Sequence, residues 1–190
     1  MHAVLVAVDP ASLRALILYN ARGPVYNIPR KGAVMNENLR GKNLSIAIGS
    51  DHAGYPLKEQ LADLLRAEGY NLQDFGAFSP EPVDYPDVAR EVAEAVAAGQ
   101  YDKGILICGT GIGMTITANK VKGIRAAACA DPYSAKMARA HNNANILGMG
   151  GRVVGQGLAL DTAIAFLDTE FEFGSRHERR VDKTNAMDER

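Results

Sequence analysis

Cysteine is scarce in this 190-residue chain: there are two, Cys108 and Cys129, and no CxxC pair. That excludes a disulfide framework and a zinc ribbon, and makes a reducing compartment, the cytoplasm, the simplest setting. Long hydrophobic runs are missing too; none approaches the roughly 18 residues needed to span a membrane. Charge of one sign is also absent, with a formal net charge of −1. A surface that binds nucleic acid or membrane through bulk charge is therefore not indicated. There is no internal repeat and no low-complexity segment. What is present, 47% hydrophobic and 23% charged residues, is the composition of a globular protein with one ordinary domain and a full core.

From Leu44 onward, strand-like and helix-like segments alternate. Strands are predicted at Leu44–Gly49, Tyr70–Asp74, Gly104–Cys108, Ala126–Ala130 and Asn145–Met149. Between the first two, Leu57, Leu61, Leu64 and Leu65 follow helical spacing, and Gly69 supplies a stop. Val88, Val92 and Val96 repeat every four residues until Gly99. Asp131 is placed to cap a helix that opens on Pro132 and runs to Ala140. Another helix is predicted over Leu158–Leu167. Such alternation implies a parallel sheet with helices on both faces.

Residues 1–43 do not fit this pattern. They hold the apolar runs Ala3–Val8 and Leu16–Leu18, then punctuation at Gly23, Pro24, Pro29 and Gly32, with six basic residues against two acidic ones. Acid-poor leaders with arginines can be organelle transit peptides, but serine richness and a clean amphipathic helix are lacking. A secretory signal fits less well, because no basic start precedes the apolar run and Asp9 interrupts it. A poorly ordered or loosely docked extension is expected, and Met35 is a candidate start of the functional unit.

The most informative stretch is ILICGTGIG, Ile105 to Gly113. Its continuous apolar run reads as a strand covered on both faces. Cys108 ends that strand, and glycines follow at 109, 111 and 113. Ligands bind beyond the carboxyl ends of parallel strands, so a thiol lies where ligands lie, beside backbone N–H groups that would favour the thiolate. Position alone leaves two readings open, an active-site nucleophile or base and a small buried hydrophobe. GTGIG also partly matches a dinucleotide fingerprint, with Asp131 about 20 residues on. Its third glycine position is Met114, however, and the loop follows an inner strand.

Three histidines lie in the α/β region: His52 in GSDHAG, His141 in ARAHNNAN and His177 in SRHERR. Two of the three are expected near loops gathered on one edge of the sheet. Asp51 could accept from substrate hydroxyls or merely cap a helix. A second glycine-rich turn, GMGGRVVGQG, carries Arg152, and SRHERR carries Arg176, Arg179 and Arg180. Guanidinium groups bind phosphate through paired N–H donors, so a phosphorylated small molecule is implied. The competing reading of SRHERR is a solvated charged face.

Taken together, GSDHAG, DYPD, ILICGTGIGMTITANK, GIRAA, ARAHNNANIL, GGRVVG and RHERRV, in this order and spacing, resemble the ribose-5-phosphate isomerase B family, which also contains galactose-6-phosphate isomerase subunits. The resemblance covers about residues 44–190 and leaves 1–43 outside. It implies a Rossmann-like α/β/α sandwich with a five-stranded parallel sheet. It implies a homodimer with a shared site, sometimes paired into tetramers, and metal-free interconversion of an aldose phosphate and its ketose without a cofactor. Cys108 then matches the general base that moves a proton between C2 and C1. One branch of the family uses a glutamate just after the glycine loop instead; Met114 stands at that position, so this chain resembles the cysteine type. His141 matches the acid that opens the furanose ring, and Thr110 the hydroxyl that assists proton movement between the oxygens. Gly109, Thr110, Gly111, Ile112 and Gly113 would hold the enediolate through backbone N–H groups. Asp51, His52, Tyr85 and Asn142 match positions that contact sugar or phosphate, and Arg152, Arg176 and Arg180 match the phosphate clamp.

The expected function is thus an isomerase of ribose 5-phosphate and ribulose 5-phosphate. Alternatives are an isomerase of an allose, galactose or tetrose phosphate, a non-catalytic sugar-phosphate-binding subunit, and a nicotinamide enzyme built on GTGIG and Asp131.

Overall fold

The computed structural model describes residues 16–20, 23–27 and 43–189. By contacts the chain divides into Met1–Asn36 and Glu37–Arg190. In the first unit, strands β1 (Leu16–Asn20) and β2 (Gly23–Asn27) pair antiparallel, Leu16 opposite Asn27 and Asn20 opposite Gly23. The run Ala3–Val8, the punctuation at Pro29 and Gly32, and Met35 lie outside the described residues.

In the second unit the elements run β3 (Ser45–Ser50), α1 (Tyr55–Ala67), β4 (Asn71–Asp74), α2 (Tyr85–Ala97), β5 (Lys103–Cys108), α3 (Ile112–Ala118), β6 (Ala126–Ala128), α4 (Pro132–Asn142), β7 (Ile146–Gly150), α5 (Gln156–Asp168) and α6 (Arg176–Asn185). The five strands form one parallel sheet in the order β4-β3-β5-β7-β6. All predicted strands are present. The fourth is shorter than expected: Cys129 N–H still donates to the Gly148 carbonyl at 3.0 Å, and Asp131 already caps the next helix.

Side-chain alternation divides the sheet between two cores. Ile46, Ile48, Ile105, Ile107, Leu147 and Met149 face Leu57, Leu61 and Leu65 of α1, Ala135 and Ala138 of α4, and Ala159, Ala163 and Phe166 of α5. Ala47, Leu106, Cys108 and Ile146 face Ala89, Val92, Ala93 and Val96 of α2 and Met114 and Ala118 of α3. The three-layer α/β/α sandwich is thus the expected one. Burial on both faces explains why β5 reads as an unbroken apolar run: Ile105, Leu106 and Ile107 are all 0% exposed.

Helix ends follow their local chemistry. The Asp131 carboxylate accepts from the Ser134 N–H at 2.8 Å, and Pro132 opens α4. Gly69 and Gly99 end the turns after α1 and α2 with positive φ. Helices α1 and α2, which flank the crossover out of β3 and the crossover into β5, lie on opposite faces. A crevice is left at the carboxyl ends of these two strands.

Candidate active site

Three loops meet at the end of β5. The turn after β3 crosses the strand end: Asp51 N–H donates to the Ile107 carbonyl at 3.2 Å. The approach is so close that a Cβ at Gly54 would lie 2.0 Å from the Ile107 oxygen. From the other side, the turn after β7 donates Gly151 N–H to the Cys108 carbonyl at 2.7 Å and Arg152 N–H to the Gly109 carbonyl at 3.1 Å. Cys108 therefore ends on a backbone scaffold built from three strands.

The GTGIG loop wraps back over the thiol. Gly111 has φ +79°, and its N–H donates to Cys108 Sγ at 3.1 Å. A Cβ at this position would meet the Met149 carbonyl carbon at 2.7 Å. Thr115 Oγ1 donates to the Gly111 carbonyl at 2.6 Å and locks the turn from below. Helix α3 then starts at Ile112. Cys108 is 5% exposed, while Thr110 stands exposed above it. Arg152 extends over the loop, with Cδ 3.8 Å from the position a Gly109 Cβ would take. The Tyr85 ring packs in the same way on Gly113 from the start of α2.

Beside this, Asp51 is 7% exposed and accepts from the Gly54 N–H at 2.8 Å, which holds the turn ahead of α1. His52 Nδ1 accepts from the Val83 N–H at 3.4 Å. Thus Cys108, Gly109, Thr110, Gly111, Ile112, Gly113, Asp51, His52, Tyr85 and Arg152 gather at the carboxyl edge of the sheet.

The remaining predicted residues do not. The register places Gly150 beside Cys108 and Ile146 beside Gly104, four residues lower. Helix α4 leaves the carboxyl edge at Pro132 and descends to the start of β7, so His141 and Asn142 stand at the opposite edge. The expectation that two of the three histidines share the carboxyl edge is therefore corrected: only His52 is there. His141 and His177 stack instead on each other, with ring centroids 4.2 Å apart and planes 8° from parallel. Helix α6 carries Arg176 and Arg180 to the same place, both exposed. A cleft of ≈ 650 Å³ opens there, lined by His141, His177, Lys136, Asp168, Glu170 and Glu172 among others. Burial, then the His141 ring and Arg176 and Arg180, push the His177 imidazole below the usual histidine range.

Cys129 is a buried thiol pushed up to about 11, first by burial and then by Asp131. That suits the small-hydrophobe role, not chemistry. Asp131, the acidic residue of the nicotinamide reading, spends its carboxylate on the α4 cap. Among the described residues no group of three or more His, Cys, Asp and Glu could hold a metal ion, and no helix is long and apolar enough to cross a membrane. No sequence motif singles out Lys58. It is 0% exposed and pairs with Asp74 at 2.5 Å. The available signal was its position 3, 4 and 7 residues before Leu61, Ala62 and Leu65, on the apolar stripe of α1.

Residues 46–184 match the model of the ribose/galactose isomerase family. The chain is 48% identical over 145 residues to ribose-5-phosphate isomerase B of Escherichia coli K12, covering 76% of this chain and 97% of that protein. It is 50% identical over 133 residues to the D-erythrulose-4-phosphate isomerase of Pectobacterium atrosepticum, covering 69% and 87%. Among solved structures, the ribose-5-phosphate isomerase B of Clostridium thermocellum superimposes with a TM-score of 0.75 at 53% identity, covering 77% of this chain and 98% of that one. Sequence motifs, sheet order and these likenesses agree: the chain belongs to the ribose/galactose isomerase family.

Proposed function

We propose that the protein interconverts ribose 5-phosphate and ribulose 5-phosphate in the pentose phosphate pathway, with Cys108 as the base. The observation that carries this reading is the thiol itself, at the end of the central strand, under the Gly111 N–H and ringed by the backbone of the GTGIG loop. The Cys108 thiolate takes the proton from C2 of the open-chain aldose phosphate. Electrons shift onto O1, and N–H groups of Gly109 to Gly113 stabilise the enediolate; donors preorganised in this way are the largest single contribution in many enzymes. The O2 hydroxyl proton passes to O1 with Thr110 assisting. The Cys108 thiol then returns its proton to C1 as C2 becomes the carbonyl. Asp51, His52 and Tyr85 bind the sugar, and Arg152 binds phosphate from the Cys108 side.

Ring opening and the rest of the phosphate clamp come from a second copy. His141, Asn142, Arg176 and Arg180 stand on the edge away from Cys108, so within one subunit they do not serve its thiol. In a homodimer, His141 of the partner subunit opens the furanose, and Arg176 of the partner subunit and Arg180 of the partner subunit complete the clamp. Ile112 and Ile116 favour a partner at this place: they are 55% and 56% exposed on α3, beside the loop. The domain that carries out this work is residues 44–190, with 1–43 as an extension.

A substrate panel tests the reading. Purified protein should turn over ribose 5-phosphate at least about tenfold more efficiently in kcat/KM than allose 6-phosphate, galactose 6-phosphate or erythrulose 4-phosphate, a margin that pocket contacts to one or two groups supply. Preference for the tetrose phosphate is the specific second reading, favoured by the Pectobacterium relative.

A further inference from the structure

Lys58 is fully buried in the first turn of α1, six residues after His52, and its ammonium donates to Asp74 Oδ2 at 2.5 Å and to the Ala77 carbonyl at 2.8 Å. Glu59 Oε1 forms an ion pair with it at 3.0 Å. The rings of Tyr55 and Phe78 lie 5.4 and 5.3 Å from Nζ. Asp74 uses its other oxygen to accept from Gly76 N–H at 2.8 Å. One ion pair thus ties α1, the end of β4 and the turn at residues 76–78 together. The turn is also clipped to β3, because Ala77 N–H donates to the Ser50 carbonyl at 2.6 Å, one residue before Asp51.

From Phe78 the chain has five residues to Val83, two of them prolines whose φ is fixed. Val83 N–H donates to His52 Nδ1. An imidazole nitrogen that accepts carries no proton, so a neutral His52 bears its proton on Nε2. Nε2 has no hydrogen-bond partner among the described residues. A buried ion pair stabilises a fold no better than packed apolar side chains of the same volume. What it supplies at this place is a fixed turn.

We infer that the Lys58–Asp74 pair is a positioning device for His52: it pins the 76–78 turn, holds the Val83 N–H against Nδ1, and leaves His52 as a neutral Nε2–H donor to a sugar or phosphate oxygen. The inference rests on the reading of the carboxyl edge as a sugar-phosphate site. Lys58 itself touches no substrate.

The first test is nitrogen-15 NMR of the unliganded wild-type protein, with the His52 signals assigned by their loss in His52→Gln. The expected result is the Nε2–H tautomer; an Nδ1–H ring overturns the inference. This measurement needs no activity, so it stands even where the functional reading fails. The second test is the paired substitution Lys58→Met with Asp74→Leu, which buries no lone charge. It should mix the His52 tautomers and raise KM for ribose 5-phosphate roughly tenfold, the worth of one well-placed hydrogen bond, with kcat changed far less. In the His52→Gln background the same pair should add nothing to KM. Equal effects in both backgrounds would mean a merely structural role and overturn the inference. Val83→Pro removes the donor at an exposed position outside the ion pair, and must reproduce the tautomer mixing and the KM rise even if the paired variant does not fold. An unchanged Val83→Pro also overturns it.

Discussion

The base role proposed for Cys108 rests on where its neighbours put it. It shares the buried face of β5 with Leu106, yet its sulfur faces a backbone donor instead of another hydrocarbon. Cys129 is buried in the opposite core, and among the described residues no N–H donates to its sulfur; its thiol donates weakly to the Ala127 carbonyl at 3.9 Å. The two thiols thus separate by geometry, and the glycine-rich turn that follows Cys108 and not Cys129 is the local pattern that carries it. Cys108→Ala removes the proposed proton carrier while the loop N–H groups and the arginines remain. Isomerisation should fall by about 10³-fold, the scale of losing a general base that also returns the proton to carbon. Binding of ribose 5-phosphate, read by calorimetric titration, should stay within a few fold. Near-normal turnover would remove Cys108 from the base role.

At the scale of elements, the helix ends carry charges of their own. Lys103 opens β5 at the edge away from Cys108 and lies almost fully buried. Its ammonium donates to the Leu167 carbonyl at 2.6 Å, one of the unpaired carbonyls at the end of α5. Burial, and then the nearby Arg139, push this lysine from the usual 10.5 down to about 7. Above about pH 7 the unfolded chain therefore holds more protons than the folded one, and stability rises with pH. Cys129 and Tyr70 act in the opposite sense, but only above about pH 9, since burial raises both. Urea midpoints should accordingly climb from pH 7 to pH 9 in the wild type and stay flat over this interval in Lys103→Met. A flat wild-type curve would refute the assignment. Lysines 58 and 103 also mark where the sequence was least legible. Continuous apolar runs in β3, β5 and β7 and the leucine spacing of α1 report burial directly. A buried lysine is visible only once its carboxylate and carbonyl acceptors are placed by other elements.

For the whole molecule, the sheet's topology decides what one chain can do alone. The eleven residues of α4 rise about 16 Å along the helix axis, and that length carries His141 away from the edge it starts from. The motifs supplied every candidate site residue, because each sits in a short run of distinctive composition. They did not show that the residues fall into two groups, because motif order along the chain is silent about which end of a helix faces which end of a strand. The α-after-β alternation contains that information, since each helix must return to the start of the next strand. The proposed two half-sites on opposite edges make a sharp prediction for mixed dimers. Cys108→Ala spoils the carboxyl-edge half, and His141→Asn spoils the other. In a dimer holding one subunit of each kind, one site combines both defects and the other combines neither. Equal co-refolding of the two inactive proteins gives half mixed dimers, each with one intact site, so roughly a quarter of wild-type activity should return. Each variant refolded alone should stay inactive. No recovery in the mixture, with mixed dimers demonstrated by mass spectrometry, would mean that His141 and Cys108 do not serve one site across the subunit boundary.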